Sequence, residues 1–186
     1  MTSLRNALIV VLIAYGTRKP FPEHQDNQYH LRRRPLVILN GVPFRDGVIE
    51  LELAGQPGPG AAGDARGFVG FAFRVASDNS KFECFCLRPT NGRADDQERR
   101  NHSVEYISFP DFPWMRLRKD FPEKYESYVD LVPGEWTKVK IEVRGAKERL
   151  FVHSNGQPTL VINGLKLDGT EGALVLSACG EKLCRE

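Results

Sequence analysis

The sequence predicts an all-β fold, an antiparallel β-sandwich with little helix, and three observations support this prediction. Short segments such as Val48–Leu53 and Lys138–Arg144 alternate apolar and polar residues with a period of two, which is typical of strands. Between such segments, Asn-Gly, Asp-Gly and Pro-Gly pairs recur, and each tolerates the positive φ that tight turns need. Helical periodicity is nearly absent, and the 17 Gly and 12 Pro residues favour turns over long helices.

The predicted elements follow in chain order. Ala7–Tyr15 is apolar and β-branched, which suits a buried strand and equally the core of a signal peptide. The further strands are Val48–Leu53, Phe68–Val75, Phe82–Leu87, Val104–Phe109, Lys138–Arg144, Arg149–His153, Thr159–Ile162 and Ala173–Ala178. A turn is expected at Asn40-Gly41, helical turns at Asp95–Asn101 and Pro122–Tyr128, and long loops at Gly55–Gly67 and Pro89–Ser103.

Composition and charge exclude several classes of function. The 26 Lys and Arg residues nearly balance the 24 Asp and Glu residues, and a net charge of +2 argues against a nucleic-acid partner. Ala7–Tyr15 is the longest apolar run, and it is far shorter than the ~20 residues of a membrane-spanning helix. Because 41% of the residues are hydrophobic, we expect residues 1–186 to form a single domain with one core.

The cysteines bear on the cellular compartment. Four cysteines in a chain of this length do not make a disulfide scaffold, and reduced thiols in a cytoplasmic protein are the simpler interpretation. The alternative is secretion, with residues 1–16 acting as a signal peptide. Cys179 and Cys184 would form a disulfide only in that case, and their state is left open.

Several segments, taken in order, resemble a known family. They are Phe44–Glu50, Gly67–Arg74, Phe82–Asn91, Glu105–Tyr106, Trp114, Pro133–Ile141 and Pro158–Ile162. Together they resemble the concanavalin A-like lectin/glucanase superfamily, and within it the bacterial laminin-G-like or keto-disaccharide-hydrolase-like group. The resemblance covers roughly residues 36–178, and its most specific piece is the strand that ends in Leu87-Arg88-Pro89, followed by Asn91.

The resemblance implies both an architecture and a class of ligand. The implied fold is a jelly roll of two packed antiparallel sheets, and the implied ligand is a carbohydrate or a small sugar-like molecule. Members usually have a further strand before the position of Ala7 and an aromatic strand after that of Gly180. Since these terminal strands normally pair with each other, short ones would leave a thin sheet edge, which predicts either a homodimer through that edge or partial instability.

A ligand site is predicted on one face of two neighbouring strands. Alternation puts the small side chains of Gly70, Ala72, Cys84 and Cys86 on this face, which leaves room for a ligand. Arginines beside this space would offer planar hydrogen-bond donors to a sugar. The predicted ligand-binding residues are Arg88, Arg74, Asn91, Tyr106 and Trp114.

Each of these predictions has a structural alternative. Arg74 and Arg88 would instead be partners of nearby acids at the ends of strands. Trp114 would either stack on a pyranose ring or plug the end of the sandwich, and Tyr106 would either carry its hydroxyl into the groove or cap the core. Trp136 opens an alternating strand and is predicted to be a core residue.

Catalytic carboxylates are less well defined. Glycoside hydrolysis needs two carboxyl groups in one cleft, about 5–10 Å apart, and the Glu-x-Asp-x-x-Glu motif of the superfamily's glucanases is absent. Glu83 and Glu105 are the candidates, although Glu83 equally fits a buried acid with an arginine partner. Glu50 and Glu52 occupy positions i and i+2 of one strand and either share a cleft or pair with nearby lysines.

No cofactor or metal is expected from the sequence. His24, His30, His102 and His153 lack the spacing of metal ligands. The adjacent carboxylates Asp95 and Asp96 do not by themselves support a calcium site.

Three functions stay open on the sequence alone. The first is a carbohydrate-binding domain with a ligand groove on its concave sheet, which follows from the resemblance. The second is a glycoside or keto-sugar hydrolase or lyase that uses the same groove. The third is a non-catalytic structural or interaction domain.

Overall fold

The computed structural model describes residues 7–8, 12–14, 36–144, 149–167 and 171–177. The strands are β1 (Ala7–Leu8), β2 (Leu12–Ala14), β3 (Leu36–Phe44), β4 (Gly47–Ala54), β5 (Val69–Val75), β6 (Phe82–Leu87), β7 (Val104–Phe109), β8 (Glu126–Ser127), β9 (Thr137–Arg144), β10 (Arg149–Ser154), β11 (Gln157–Asn163) and β12 (Gly172–Ser177). The helices are α1 (Gln97–Asn101) and α2 (Trp114–Asp120), and Pro89–Asn91 forms a 3-10 turn. Neither described helix is long enough to cross a membrane.

The strands form two six-stranded sheets. The first sheet has the order β1-β4-β9-β10-β11, with β2 also beside β4, and the second has the order β3-β12-β5-β6-β7-β8. All described pairs are antiparallel except those of β1 and β2, which run parallel to β4. The predicted antiparallel β-sandwich with little helix is therefore confirmed, and the apolar run near residue 10 contributes two short strands. The finer prediction of a jelly roll stays a prediction.

The core lies between the inner faces of the two sheets. Val69 lies against Gly55 at the end of β4, because a Cβ on Gly55 would be 3.0 Å from Val69 Cγ1. The face that carries Val69 thus turns toward the first sheet. Phe71, Phe73 and Phe85 lie on the same face and are buried. Ile49, Leu51, Leu53, Val139, Ile141 and Val143 are buried on the first sheet at alternating positions of β4 and β9.

The turn signals are correct at some positions and wrong at one. Asn155 and Gly156, with φ values of 49° and 80°, form a tight turn between β10 and β11, as Asn-Gly predicts. Asn40-Gly41 lies inside β3 rather than in a turn. Gly172 pairs with Phe44 and Leu174 with Leu39, so β3 carries extra residues against β12, and this pair marks a bulge.

One other expectation is wrong. Pro122–Tyr128 is not helical, because its first residues form a turn and Glu126–Ser127 pairs with β7 as β8. The helix lies earlier, at Trp114–Asp120, where Pro113 precedes its first turn and Leu117 is buried. Four predictions concern residues outside the described ranges: the part of strand Ala173–Ala178 beyond Ser177, the pair His24 and His30, the pair Cys179 and Cys184, and the terminal strands.

Candidate functional site

Arg74 and Glu83 form a buried ion pair at the inner face of the second sheet. Arg74 Nη1 lies 3.0 Å from Glu83 Oε2, and neither side chain is exposed. The Tyr106 hydroxyl donates to the same carboxylate. Burial raises the pKa of Glu83, although the Tyr106 hydrogen bond and the Arg74 charge act in the opposite direction. Three of the sequence-predicted residues therefore meet in one cluster, as partners of one another.

This ion-pair cluster also holds the backbone that follows β11. Lys166 N donates to Tyr106 Oη at 2.9 Å, and Leu167 N donates to Glu83 Oε1 at 3.3 Å. Arg74 Nη1 in turn donates to Leu167 O at 3.1 Å. The segment that carries Lys166 is thus fixed to the second sheet by three partly buried hydrogen bonds.

Strand alternation alone puts Arg74 on the wrong side of β5. Val75 pairs with Ala173 and Ala72 with Val175, so β5 has one residue more than β12 across this step. Arg74 sits in that bulge with a positive φ of 53°, which turns its side chain to the inner face. Gly172 makes room for the bulge, because a Cβ there would lie 2.4 Å from the Arg74 carbonyl carbon.

A second buried cluster lies on the outer face of the same sheet. Arg88 contacts Glu105 through Nη2 and lies 3.1 Å from Glu126 Oε1 through Nη1. Arg118 of α2 holds Glu126 from the other side, with Nε 2.8 Å from Oε2. The indole ring of Trp114 stands over both guanidinium groups, with centroid distances of 5.8 Å to Arg88 and 4.6 Å to Arg118.

The two carboxyl groups of this second cluster have opposite pKa shifts. Burial raises the pKa of Glu105 to about 8, with the charge of Arg88 opposing the shift and that of Glu126 adding to it. Burial also acts to raise the pKa of Glu126, but the hydrogen bond and charge of Arg118 outweigh it, so that pKa is lowered. The proton of the pair thus resides on Glu105, whose side chain has no exposed surface.

The prediction of open space beside the arginines is wrong, because the small side chains there are buried. Cys84 and Cys86 are completely buried, Ala72 is 4% exposed, and Arg88 is 5% exposed. The Sγ atoms of Cys84 and Cys86 lie 3.3 Å apart, longer than the ~2.05 Å of a disulfide bond. The outer face of the second sheet is covered, so small side chains here fit against a covering layer instead of leaving a groove.

The remaining predicted residues also serve local structure. Asn91 is buried and bonds within the loop Pro89–Ser103, with Nδ2 donating to His102 O and Oδ1 accepting from Arg99 Nε, each at 3.0 Å. Trp114 begins α2 and is partly buried against the core. Arg74 and Arg88 are thus partners of nearby acids, and Trp114 packs against the core, as the structural alternatives stated. Ligand contact stays a prediction for Arg88, Arg74, Asn91, Tyr106 and Trp114.

An open groove of about 500 Å³ lies on the outer face of the first sheet. Strands β4, β9 and β10 line it with Glu50, Glu52, Lys138, Lys140, Glu142 and His153. Cross-strand register places Glu50 opposite Lys140 and Lys140 opposite His153, which makes one polar row across the three strands. The next row contains Val48, Glu142, Phe151 and Val161.

Charges of both signs alternate over this groove. Lys140 Nζ lies 3.7 Å from Glu50 Oε1 and 3.4 Å from Glu142 Oε1. The hydrogen bond from Arg144 is the main cause of the lowered pKa of Glu142. The groove therefore presents carboxylates, an ammonium group and an imidazole side by side, which together donate to and accept from hydroxyl groups.

Trp136 is the functional candidate that the sequence analysis placed wrongly. It was predicted to be core, yet it is 42% exposed, while its neighbour Thr137 is 5% exposed. Alternation in β9 carries a usable signal, because Trp136 has the same parity as the outward Lys138 and Lys140. Trp136 therefore lies at an exposed position directly before β9, where its aromatic ring faces solvent.

Among the described residues, no group of three or more His, Cys, Asp or Glu side chains is arranged to hold a metal ion. The sequence left open whether Glu50 and Glu52 share a cleft or pair with lysines. Both residues line the groove, and Glu50 also pairs with Lys140.

Comparisons with known proteins support the fold. No protein-family model matches the chain, and no curated protein matches it. Among solved structures, the chain is similar to the carbohydrate-binding module CBM66 from Bacillus subtilis, with a TM-score of 0.51 and 13% sequence identity. The match covers 74% of this chain and 69% of that one. At this identity the similarity establishes the β-sandwich, and membership of the concanavalin A-like superfamily stays a prediction.

Proposed function

We propose that this protein is a non-catalytic carbohydrate-binding domain whose ligand lies in the open groove of the first sheet. The observation that carries the proposal is the cross-strand row of Glu50, Lys140 and His153 on an exposed, concave face. Sugar hydroxyls both donate and accept hydrogen bonds, so adjacent acceptors and donors on a rigid sheet suit them. The similarity to a solved carbohydrate-binding module supports the same class of ligand.

Apolar groups beside the polar row strengthen the proposal. Phe151 lies in the neighbouring row, and Trp136 is exposed directly before β9. The C–H faces of a pyranose ring are apolar and stack on aromatic rings. The groove side thus combines hydrogen-bonding groups with stacking surfaces, which is the combination that a saccharide needs.

We propose binding without catalysis because the acidic side chain with a raised pKa, Glu105, does not lie in the accessible groove. Glu50 is exposed and paired with Lys140, so it lacks the desolvated site that keeps a general acid protonated near neutral pH. Glu105, whose pKa is raised to about 8, is fully buried and offers no surface to a substrate. The carboxyl group with a suitable pKa and the accessible groove are thus on different sheets.

Titration of neutral oligosaccharides into the purified protein tests this proposal. Lys140→Met keeps the aliphatic stem and removes the charged donor, and we expect it to weaken binding about tenfold or more. Trp136→Ala removes a stacking surface and should weaken binding by about two- to tenfold. Lys81→Met and Tyr128→Ala, which alter exposed residues away from the groove, are the matched controls. Equal losses in variants and controls, or no binding by the unmodified protein, would contradict the proposal.

A further inference from the structure

Three cations gather over three aromatic rings at the side of the sandwich where β8 and β11 contact each other. Lys166 Nζ lies 4.0 Å from the ring centroid of Phe121, 4.8 Å from that of Phe112 and 5.5 Å from that of Tyr125. Lys124 Nζ is 5.4 Å from the Phe121 centroid, and the Arg116 guanidinium stands 4.5 Å over Phe112. We call Arg116, Lys124 and Lys166 the cation cluster.

The position of Lys166 is fixed before any ligand arrives. Its backbone N–H donates to the buried Tyr106 hydroxyl at 2.9 Å, and the next residue, Leu167, is held by Glu83 and Arg74. The aromatic rings limit the side chain from three directions. A cation held in this way loses little conformational freedom when it binds an anion, which favours binding.

Negative charge does not balance the cation cluster. Asp120 pairs with Arg116 at 3.3 Å, but among the described side chains no carboxylate lies within 4.0 Å of Lys124 or Lys166. Burial, and then the charges of Lys124 and Arg116, lower the pKa of Lys166, and they outweigh the charge of Asp120, which acts in the opposite direction. Like charges that are held together on an apolar support are relieved by an anion of opposite charge.

From this geometry we propose that the cation cluster binds a sulfate or carboxylate group carried by an acidic saccharide. Ammonium groups at Lys124 and Lys166 donate charge-assisted hydrogen bonds to the oxygens of such a group. The site is distinct from the groove, which lies on β4, β9 and β10. It rests on the proposed function only for the carrier of the anion, since a carbohydrate-binding domain meets anions as substituents on sugars.

A charge-matched set of variants tests the cation cluster. Lys166→Gln and Lys124→Gln each remove one positive charge, and Lys119→Gln removes one from an exposed position on the same helix as Arg116. Side-chain changes at Lys166 leave its backbone bond to Tyr106 in place, so the fold is expected to persist, and melting curves check this. The probes are inorganic sulfate, a sulfated heparin-derived tetrasaccharide, an oligogalacturonate and a neutral oligosaccharide.

We expect Lys166→Gln and Lys124→Gln to bind the acidic oligosaccharides about tenfold more weakly, and Lys119→Gln to bind them nearly as the unmodified protein does. Inorganic sulfate should compete, and binding should weaken in high salt. Preference for the sulfated or the uronate probe identifies the source of the anion. The proposal is overturned if neither acidic probe binds, or if all three variants lose affinity equally. If the neutral probe still binds in that case, the proposed function stands although the cation cluster does not. If only the acidic probes bind, and they lose affinity in Lys166→Gln and Lys124→Gln, the cation cluster stands although the groove does not.

Discussion

The outer faces of the two sheets carry the same kinds of residue in opposite surroundings. On the first sheet, Lys140 and Glu50 lie 3.7 Å apart with side-chain exposures of 43% and 60%. On the second sheet, Arg88 and Glu105 are in direct contact with exposures of 7% and 0%. Each pair joins a cation and a glutamate side chain across neighbouring strands, yet only the second is removed from water.

The difference teaches that the covering layer, and not the charge pattern, decides what an ion pair does. In water, an exposed pair gains little from its Coulomb attraction and contributes about 0–1 kcal/mol. A buried pair does not stabilise the fold greatly relative to an apolar pair, but losing one partner costs about 3–5 kcal/mol because a buried charge is left without compensation. The exposed pair is thus available to a ligand, while the buried pair serves the fold.

Removing the cation from each pair is the strongest test of this comparison. We expect Arg88→Ala to lower the free energy of unfolding by about 3–5 kcal/mol, because the buried carboxylate of Glu126 loses one of its cations and Glu105 loses a buried hydrogen-bond partner. Lys140→Ala should lower it by less than about 1 kcal/mol. Denaturant melts of both variants measure the difference. Similar losses in the two variants would show that burial does not separate the pairs.

The pH dependence of stability sharpens the same comparison. The pKa of Glu105 is raised from 4.5 to about 8, so between these values the folded state keeps a proton that the unfolded state has released. Stability therefore falls as pH rises through this window, by at most about 1.4 kcal/mol per pH unit. Glu105→Gln mimics the protonated group, and we expect its melting temperature to match that of the unmodified protein near pH 5 and to exceed it increasingly toward pH 8.

A partly buried acid of the first sheet provides the control for that series. The pKa of Glu142 is lowered, mainly by the hydrogen bond from Arg144, so this group titrates below the window. Glu142→Gln should give a melting curve that runs parallel to that of the unmodified protein from pH 5 to pH 8. A parallel curve for Glu105→Gln as well would mean that Glu105 is already ionised in the fold.

Within the buried clusters, the smallest expected effect concerns a single hydroxyl group. Tyr106→Phe leaves the ring in place but removes the group that donates to Glu83 and accepts from Lys166 N. We expect a loss of about 1–3 kcal/mol in the free energy of unfolding, because buried polar groups lose a partner. Tyr125→Phe is the matched control, since the Tyr125 hydroxyl makes a longer bond of 3.2 Å to Gly164 O at a partly buried position. A larger loss in the control would contradict this ranking.

Much of the fold could be predicted from the sequence, because alternation is a local property. Alternation puts Gly70, Ala72, Cys84 and Cys86 on one face, so parity leaves Phe71 and Phe85 on the other face, and both are buried in the core. The prediction failed at Arg74, where one extra residue in β5 reverses the parity. It failed also at Asn40-Gly41, since a bulge and a turn use the same residue types.

The site was harder to predict because its partners are distant in the chain. Arg88 meets Glu126 through β8, a segment whose Pro122 and charged residues suggested a helix. The periodicity of the sequence does not show whether a face of small residues is covered by other segments. On the second sheet this face is covered, so the expected groove is absent there. The exposure of Trp136 could have been predicted, because Trp136 has the same parity as Lys138, which faces outward.

The place of β12 in the second sheet has a consequence for how the protein is made. β12 lies between β3 and β5, and Ser177 pairs with Leu36 on one side and with Gly70 on the other. While the ribosome is still translating the residues before 172, β3 has no partner among the described strands, and the edge of β5 that β12 later covers is open. Pairing of such distant segments is slow, and open strand edges invite association with other chains. We therefore expect the second sheet to close only after translation has passed residue 177, with nascent chains depending on chaperones until then.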